Sequence, residues 1–219
     1  MFSFSVESVL LPHFASINNR VQRIMDVGTN NALIPLILAT KTKAMITGVE
    51  IEGEACRLAA KNVHVNGKAD QIKIVHADVL TLPPPSPKFN LIICNPPFFS
   101  LTSNYHQQHH QRFKQTARHE IKLSLDALLT KAKTLISHRG YLVLCHRTDR
   151  LAELLHKTTM HHFEPKRIQF IHPKVNVQAK TFMLECRFQA GQGLRVLKPI
   201  VCHNRNNTFK RAVRRFYRP

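Results

Sequence analysis

Short apolar runs alternate with amphipathic stretches along most of this chain, and the alternation predicts its elements. Arg23-Ile24-Met25-Asp26-Val27 is a short strand entering a turn at Gly28. Leu33 to Thr40 reads as a helix, Ala44 to Ile51 as a strand, and Glu52 to Asn66 as a helix closed by Gly67. Gln71 to His76 reads as a third strand. A proline-rich connection, Leu82-Pro83-Pro84-Pro85-Ser86-Pro87, leads into the apolar run Phe89 to Cys94. Farther on, Glu120 to Ser137 predicts a long amphipathic helix, Tyr141 to Cys145 a strand and Asp149 to Thr158 a helix. Arg167 to Ile171 and Thr181 to Phe188 close the series as two more strands. Continuous apolar runs suit interior strands covered on both faces. Strands alternating with helices imply βαβ units, hence an α/β fold with a doubly wound, mostly parallel sheet.

The fourth strand ends in an unusual way, on Asn95-Pro96-Pro97-Phe98-Phe99. Prolines end a strand because each lacks an N–H and fixes φ. An amide followed by aromatics then stands at the carboxyl end of a buried strand, where open α/β sheets bind ligands. Acids mark the neighbouring strand ends. Asp26 lies in the first strand, Glu50 ends the second, 24 residues later, and Asp78 follows the third. Glu50 is placed to bind the two hydroxyls of a ribose, and a carboxylate–diol contact is charge-assisted. Asp78 is placed to accept from an adenine amino group. At Gly28, missing a Cβ, the chain can pass close to a ligand and offer it backbone N–H groups.

Charge narrows the partners. The 219 residues hold 32 Lys+Arg against 13 Asp+Glu, a formal net charge of +19. Such a chain repels itself unless an acidic partner is near, and nucleic acid is the first candidate. Arg187 to Pro219 contains no acid, and its tip, Lys210-Arg211-Ala212-Val213-Arg214-Arg215-Phe216-Tyr217-Arg218, interleaves cations with aromatics. No apolar run reaches membrane-span length. The start, MFSFSVESVLLPHF, carries an acid where an export signal wants positive charge. Five cysteines form no C-x-x-C pair, which suits reduced thiols in a cytoplasmic protein. The cluster Tyr105-His106-Gln107-Gln108-His109-His110-Gln111 lacks cysteine or carboxylate partners at ligand spacing. It reads as a solvated loop, and no structural metal is expected.

Together these motifs resemble a class I S-adenosylmethionine-dependent methyltransferase of the amino-methylating kind, whose usual signatures are D-x-G-x-G-x-G, an acid ending strand two, an acid after strand three and N-P-P-[FYW]. Phe4-Ser5-Val6-Glu7-Ser8-Val9-Leu10-Leu11, Leu33-Ile34-Pro35-Leu36, Ala117-Arg118-His119-Glu120 and His146-Arg147 carry the likeness further. They resemble the bacterial tRNA adenine-N6 methyltransferases that act next to the anticodon of a valine tRNA. The likeness covers roughly residues 2 to 190. It implies a Rossmann-like methyltransferase domain over 1–190, whose sheet ends in an antiparallel C-terminal strand; the acid-free composition beyond it reads as a basic RNA-binding extension over 191–219. Two glycines of the family's first turn are replaced by Asn30 and Ala32, the latter adding a methyl group near the cofactor. The family usually has a short segment before Phe4-Ser5 that would help close the cofactor pocket.

The resemblance also assigns roles. S-adenosylmethionine would be held by Asp26, Gly28, Thr29, Glu50, Ile51, Asp78, Val79 and Asn95. The catalytic stretch would be Asn95, Pro96, Pro97 and Phe98. The Asn95 side-chain oxygen and the Pro96 carbonyl would accept the two amine hydrogens and aim the nitrogen lone pair at the methyl group. Phe98 would stack on the extruded base. The His/Gln-rich loop would order on RNA. Arg118 and His119 would contact phosphate at the end of that loop. The acid-free tail suggests by its charge that Lys210, Arg211, Arg214, Arg215 and Arg218 contact tRNA, the alternative being that the tail folds back to pack Phe209 and Phe216 on the domain. The protein is expected as a monomer. Three other functions fit the same motifs: guanine-N2 methylation of rRNA, N5 methylation of a protein glutamine, and an RNA-binding protein of this fold that has lost catalysis.

Overall fold

The computed structural model describes residues 5–96, 123–204 and 206–217. Pro97, Phe98, Arg118, His119, the histidine-rich cluster, the first residues of the helix expected from Glu120, and Arg218 lie outside them. Among the described residues a nine-stranded sheet runs in the order β3-β2-β1-β4-β5-β7-β6-β8, with β9 also on β6. The strands are β1 (Arg23–Val27), β2 (Met45–Glu50), β3 (Ile72–His76), β4 (Phe89–Cys94), β5 (Ile136–Arg147), β6 (Phe163–His172), β7 (Thr181–Phe188), β8 (Arg195–Val196) and β9 (Ile200–Val201). The five strands from β3 to β5 pair in parallel. β7 runs antiparallel between β5 and β6. The expected α/β sheet, mostly parallel with antiparallel pairing near its C-terminal end, is what the chain forms.

The alternation along β4 explains why the strand reads as one apolar run. Leu91 and Ile93 enter a core cluster with α1 (Val6–Phe14), α2 (Leu33–Lys41) and α3 (Gly53–Val65). Ile92 and Cys94 enter a second cluster with α4 (Leu125–Leu135) and α5 (Leu151–Met160). Successive side chains point to opposite faces, and both faces are covered, so neither register of the strand tolerates polarity.

Several boundaries differ from the sequence reading. The helix expected to reach Ser137 stops at Leu135, and Ile136 pairs at once with Phe89 on β4. Its start is set by Ser124, whose hydroxyl accepts from Ala127 N at 3.2 Å. β6 is twice the expected length and carries Pro165 at a register shift, the kind of irregularity where a strand accepts a residue without an N–H. Helix α1 has no counterpart among the predicted elements. Ser5 caps it by accepting from Ser8 N at 3.2 Å, and Leu10 and Leu11 bury its inner face.

The C-terminal stretch packs against the sheet and helix α1. β8 and β9 pair with β6, and the short helix α6 (Arg211–Arg214) buries Val213. Phe216 packs on the α1 face of the core, 4.9 Å from the His13 ring, and Phe209 stacks on His203 at 4.5 Å. Arg211, Arg214 and Arg215 remain exposed and Lys210 is half-buried.

The far end of α1 is held by a buried ion pair. Glu185 on β7 is 2% exposed and accepts from Arg167 Nε at 2.8 Å and Nη2 at 2.9 Å. The same carboxylate accepts from Ser16 N at 2.7 Å and Ser16 Oγ at 2.9 Å, and Arg167 also donates to the Phe14 carbonyl. Glu185→Ala leaves the guanidinium and the Ser16 amide without this acceptor, which should cost about 3 kcal/mol. The melting temperature should fall by roughly 10 °C for a chain of this size. An unchanged melting curve would mean that α1 is held by apolar packing alone.

Candidate active site

The carboxyl ends of β1, β2, β3 and β4 lie side by side in the sheet and bring the expected residues to one edge. The turn after β1 keeps a left-handed backbone at alternate positions, with φ of +70° at Gly28, +51° at Asn30 and +65° at Ala32. These are the positions where the resembling family has three glycines. Asn tolerates this region better than most residues, whereas Ala adopts it at a cost of about 1–2 kcal/mol. The Ala32 methyl, at the start of α2, is fully buried in the first core cluster.

Most backbone amides of the described turn are already used. Gly28 N and Thr29 N both donate to the Val49 carbonyl, at 2.9 and 3.0 Å, and Ala32 N donates to Thr29 O at 2.9 Å. Asn30 N donates to Glu50 Oε2 at 2.8 Å. The sequence had read these amides as groups offered to a ligand. What the turn offers instead is open space, since a Cβ built on Gly28 meets nothing within 4 Å.

Glu50 is buried at the end of β2. Its Oε2 holds Asn30 N, while Oε1 accepts from Ile51 N at 2.9 Å and Glu52 N at 3.0 Å. A carboxylate has about four acceptor sites, so roughly one remains for a ligand. Asp78 caps the short turn Val79–Thr81, accepting from Leu80 N at 2.9 Å, and Val79 is buried beneath it. Gly48, which the sequence reading passed over, lies opposite Asp26 in the ladder. A Cβ there would stand 2.8 Å from Thr29 Oγ1, so glycine leaves room for the threonine side chain. An isolated glycine inside a strand run is the signal that marks such close approach.

Polar atoms without partners cluster at this edge. Among the described residues, both carboxyl oxygens of Asp26, the Thr29 hydroxyl and the Asn95 Oδ1 are buried without a partner at hydrogen-bonding geometry, although the Thr29 hydroxyl lies close enough to Asp26 to influence its charge. Burial pushes the Asp26 carboxyl up to about 7; the nearby Thr29 hydroxyl opposes the shift and the Glu50 charge adds to it. Orphaned buried acceptors are rare in folded proteins, and several together mark a place built for a ligand. Asn95 is anchored from the other side, its Nδ2 donating to Ser8 Oγ on α1 at 2.8 Å. Pro96 follows, half-buried. No cluster of metal-binding side chains occurs among the described residues, and no helix there is long and apolar enough to cross a membrane. A separate hollow of about 710 Å³ opens at the opposite end of β4 and β5, lined by Arg20, Arg139, Tyr141 and Arg187.

Comparison with known proteins places the chain in a family. The sequence matches the family described as methyltransferase small domain over residues 6–158. The chain belongs to that family. Among similar methyltransferases, one from Porphyromonas gingivalis is 35% identical over 67% of this chain. A relative from Christiangramia forsetii is 29% identical over 96% of this chain and 89% of its own length. Both bear the name tRNA1(Val) (adenine(37)-N6)-methyltransferase. The chain spans 64% of the Porphyromonas protein's length. The fold also resembles a crystal structure from Agrobacterium tumefaciens described as a predicted O-methyltransferase, with a TM-score of 0.72 at 20% identity over 95% of this chain and 94% of that one. It further resembles a geranyl diphosphate C-methyltransferase from Streptomyces coelicolor, crystallised with S-adenosyl-L-homocysteine, at a TM-score of 0.61 and 9% identity over 83% of this chain and 79% of that one.

The raised pKa of Asp26 gives a pH test of this edge of the sheet. Its pKa is raised in the folded state, so its stabilising effect is full below about pH 4 and is lost as pH rises through about 7. The difference amounts to on the order of 4 kcal/mol. Asp26→Asn should lack that slope, so the gap in urea midpoint between variant and parent should change between about pH 4 and 7 and level off above. A gap that stays constant with pH would mean that Asp26 ionises normally in the fold.

Proposed function

We propose that this chain transfers a methyl group from S-adenosylmethionine to the N6 amino group of an adenine in tRNA, the adenine next to the anticodon of valine tRNA. The observation that carries the reading is the Asn95 Oδ1, a buried acceptor without a partner at the end of β4. The names of the relatives support the adenine and the tRNA. Among the described residues, Asp26, Thr29, Glu50 and the open space at Gly28 fit the cofactor's cationic and ribose groups. Ile51, Asp78, Val79 and Asn95 complete the cofactor-binding set in this reading.

When bound, S-adenosylmethionine supplies an electrophilic methyl group on a sulfonium sulfur. The chain's own task is to present the amine. Asn95 Oδ1 and the Pro96 carbonyl each accept one N6 hydrogen, which draws the lone pair out of the ring. That lone pair would take the methyl group, the cofactor's sulfur leaving as the neutral thioether, and the methylated nitrogen would release one proton to solvent. The gain comes from orientation and fixed dipoles rather than from a strong base. Pro96 and Pro97 stiffen the backbone that carries the acceptors, and Phe98 stacks on the base. Retention of the left-handed turn at Asn30 and Ala32 weighs against a chain that has lost catalysis.

RNA reaches the site along basic surface. Arg118 and His119 serve on the substrate side, and Lys210, Arg211, Arg214, Arg215 and Arg218 bind phosphates outside the catalytic pocket. The packing of Val213 and Phe216 holds this segment against α1, so the exposed arginines are carried on a fixed support.

Incubation with labelled S-adenosylmethionine and separated tRNA, rRNA and ribosomal protein, followed by nucleoside mapping, tests the reading. Label is expected as N6-methyladenosine in valine tRNA, and label confined to guanine N2 or to protein would overturn it. Asn95→Ala should abolish transfer while lowering cofactor affinity far less, because the lost acceptor serves the amine and Asn95 is one contact among several in the cofactor-binding set. The tail is tested without disturbing its packing. Replacing Arg211, Arg214 and Arg215 together by Gln should weaken tRNA binding and flatten its salt dependence by roughly 0.7 to 0.9 per lost phosphate contact. An unaltered slope would remove these residues from the RNA interface.

A further inference from the structure

The amide of Asn95 has two ends of nearly equal size and opposite hydrogen-bonding sense, and the reaction needs one of them. An acceptor facing the substrate amine takes its hydrogens, whereas an NH2 facing it sets donor against donor. Asn95 Nδ2 donates to Ser8 Oγ at 2.8 Å and lies 3.5 Å from Ser5 Oγ, while Oδ1 is left buried and unpartnered. The Ser5 and Ser8 hydroxyls are 3.1 Å apart and either can donate to the other; when Ser8 donates to Ser5, the Ser8 lone pairs face the amide nitrogen.

We propose that Ser8 is a positioning residue for the reaction, holding Asn95 with its nitrogen toward α1 and its oxygen toward the substrate amine. The proposal rests on the amine-methylating reading above. Ser8 suits the role because α1 is held along its length. Glu7 accepts from Thr181 Oγ1 at 3.1 Å near the start of the helix. Lys41 Nζ donates to the Pro12 carbonyl at 2.9 Å, and the segment after the helix is bound by Glu185 and Arg167. Ser5 both caps the helix and contacts Ser8, so the same hydroxyl that starts α1 stands in the chain of contacts ending at Asn95. A side chain on a rigid support loses little entropy when it fixes another, and fixing one amide orientation is the kind of preorganisation that raises turnover rather than affinity.

The test compares Ser8→Ala with Ser8→Thr in the full chain. Ser8→Ala frees the amide to turn, and kcat should fall about tenfold, the worth of one hydrogen bond of about 1.4 kcal/mol. KM for RNA and the dissociation constant for S-adenosylmethionine should stay within about twofold, since a positioning residue of this kind acts on turnover rather than binding. Alanine favours a helix more than serine does, so the melting temperature should not drop, which separates the effect from unfolding. Ser8→Thr keeps the hydroxyl and should recover most of the lost turnover. Parental kcat in Ser8→Ala, or equal impairment in Ser8→Thr, would overturn the proposal. If the parent chain methylates guanine N2 or a glutamine amide instead of adenine, the tRNA reading fails but the Ser8 comparison still decides, because those amines donate to the same acceptor. A parent that transfers no methyl group to any of these substrates overturns both.

Discussion

The geometry of the site depends first on one carboxylate. Glu50 takes the amides of Asn30, Ile51 and Glu52, so it joins the turn after β1 to the turn after β2. Both turns need such a partner. Neither α2 nor α3 has a side chain capping its N-terminus in the usual way, and α2 begins at an alanine in left-handed conformation. The three amides that Glu50 takes all lie in the turns just before those helices, so it fixes the entry to each rather than capping either one. With both turns tied to one side chain, the open space at Gly28 and the carboxyl of Asp26 keep a defined relation to each other.

Around this fixed corner the chain leaves several polar groups unsatisfied. Asp26, Thr29 and Asn95 Oδ1 are buried without partners, while nearby Asp78 is engaged in capping a turn. Burial without a partner costs folding free energy, and the buried core on both faces of the sheet offsets it. The division of labour is consistent. Glu50 spends most of its acceptor capacity on three backbone amides and Asp78 part of its own on one, whereas the Asp26 carboxyl and the Asn95 Oδ1 have no partner among the described residues.

Helix α1 connects the two ends of the molecule's chemistry. Its first turn meets Asn95 through Ser8, and its last turn lies against Lys41, Arg167 and the aromatic side chains of the C-terminal stretch. The basic residues of that stretch are therefore anchored to the same helix that hydrogen-bonds Asn95. Charge and packing coexist there because Val213 and Phe216 face inward while Arg211, Arg214 and Arg215 face out.

The sequence by itself determined the order of strands and helices, the acids at the strand ends and the amide that ends β4. Those signals are local: apolar runs of strand length, glycine and proline at element ends, and residue types whose chemistry is visible one position at a time. Helix α1 escaped notice because Pro12 and a short apolar run mask its period, and its Ser5 cap acquires meaning only beside Ser8. The length of β5 and the edge strands β8 and β9 depend on ladder partners far away in the chain, such as Phe89 for Ile136 and Arg167 for Arg195. Only the tertiary structure decided that Glu185 pairs with Arg167 and Ser16, that Glu50 binds backbone before any ligand, and that Ser8 faces Asn95 across 87 positions of sequence. Hydrogen bonds reach about 3 Å in space with no regard to separation along the chain, so a residue's partners are legible only after the sheet has brought its strands together.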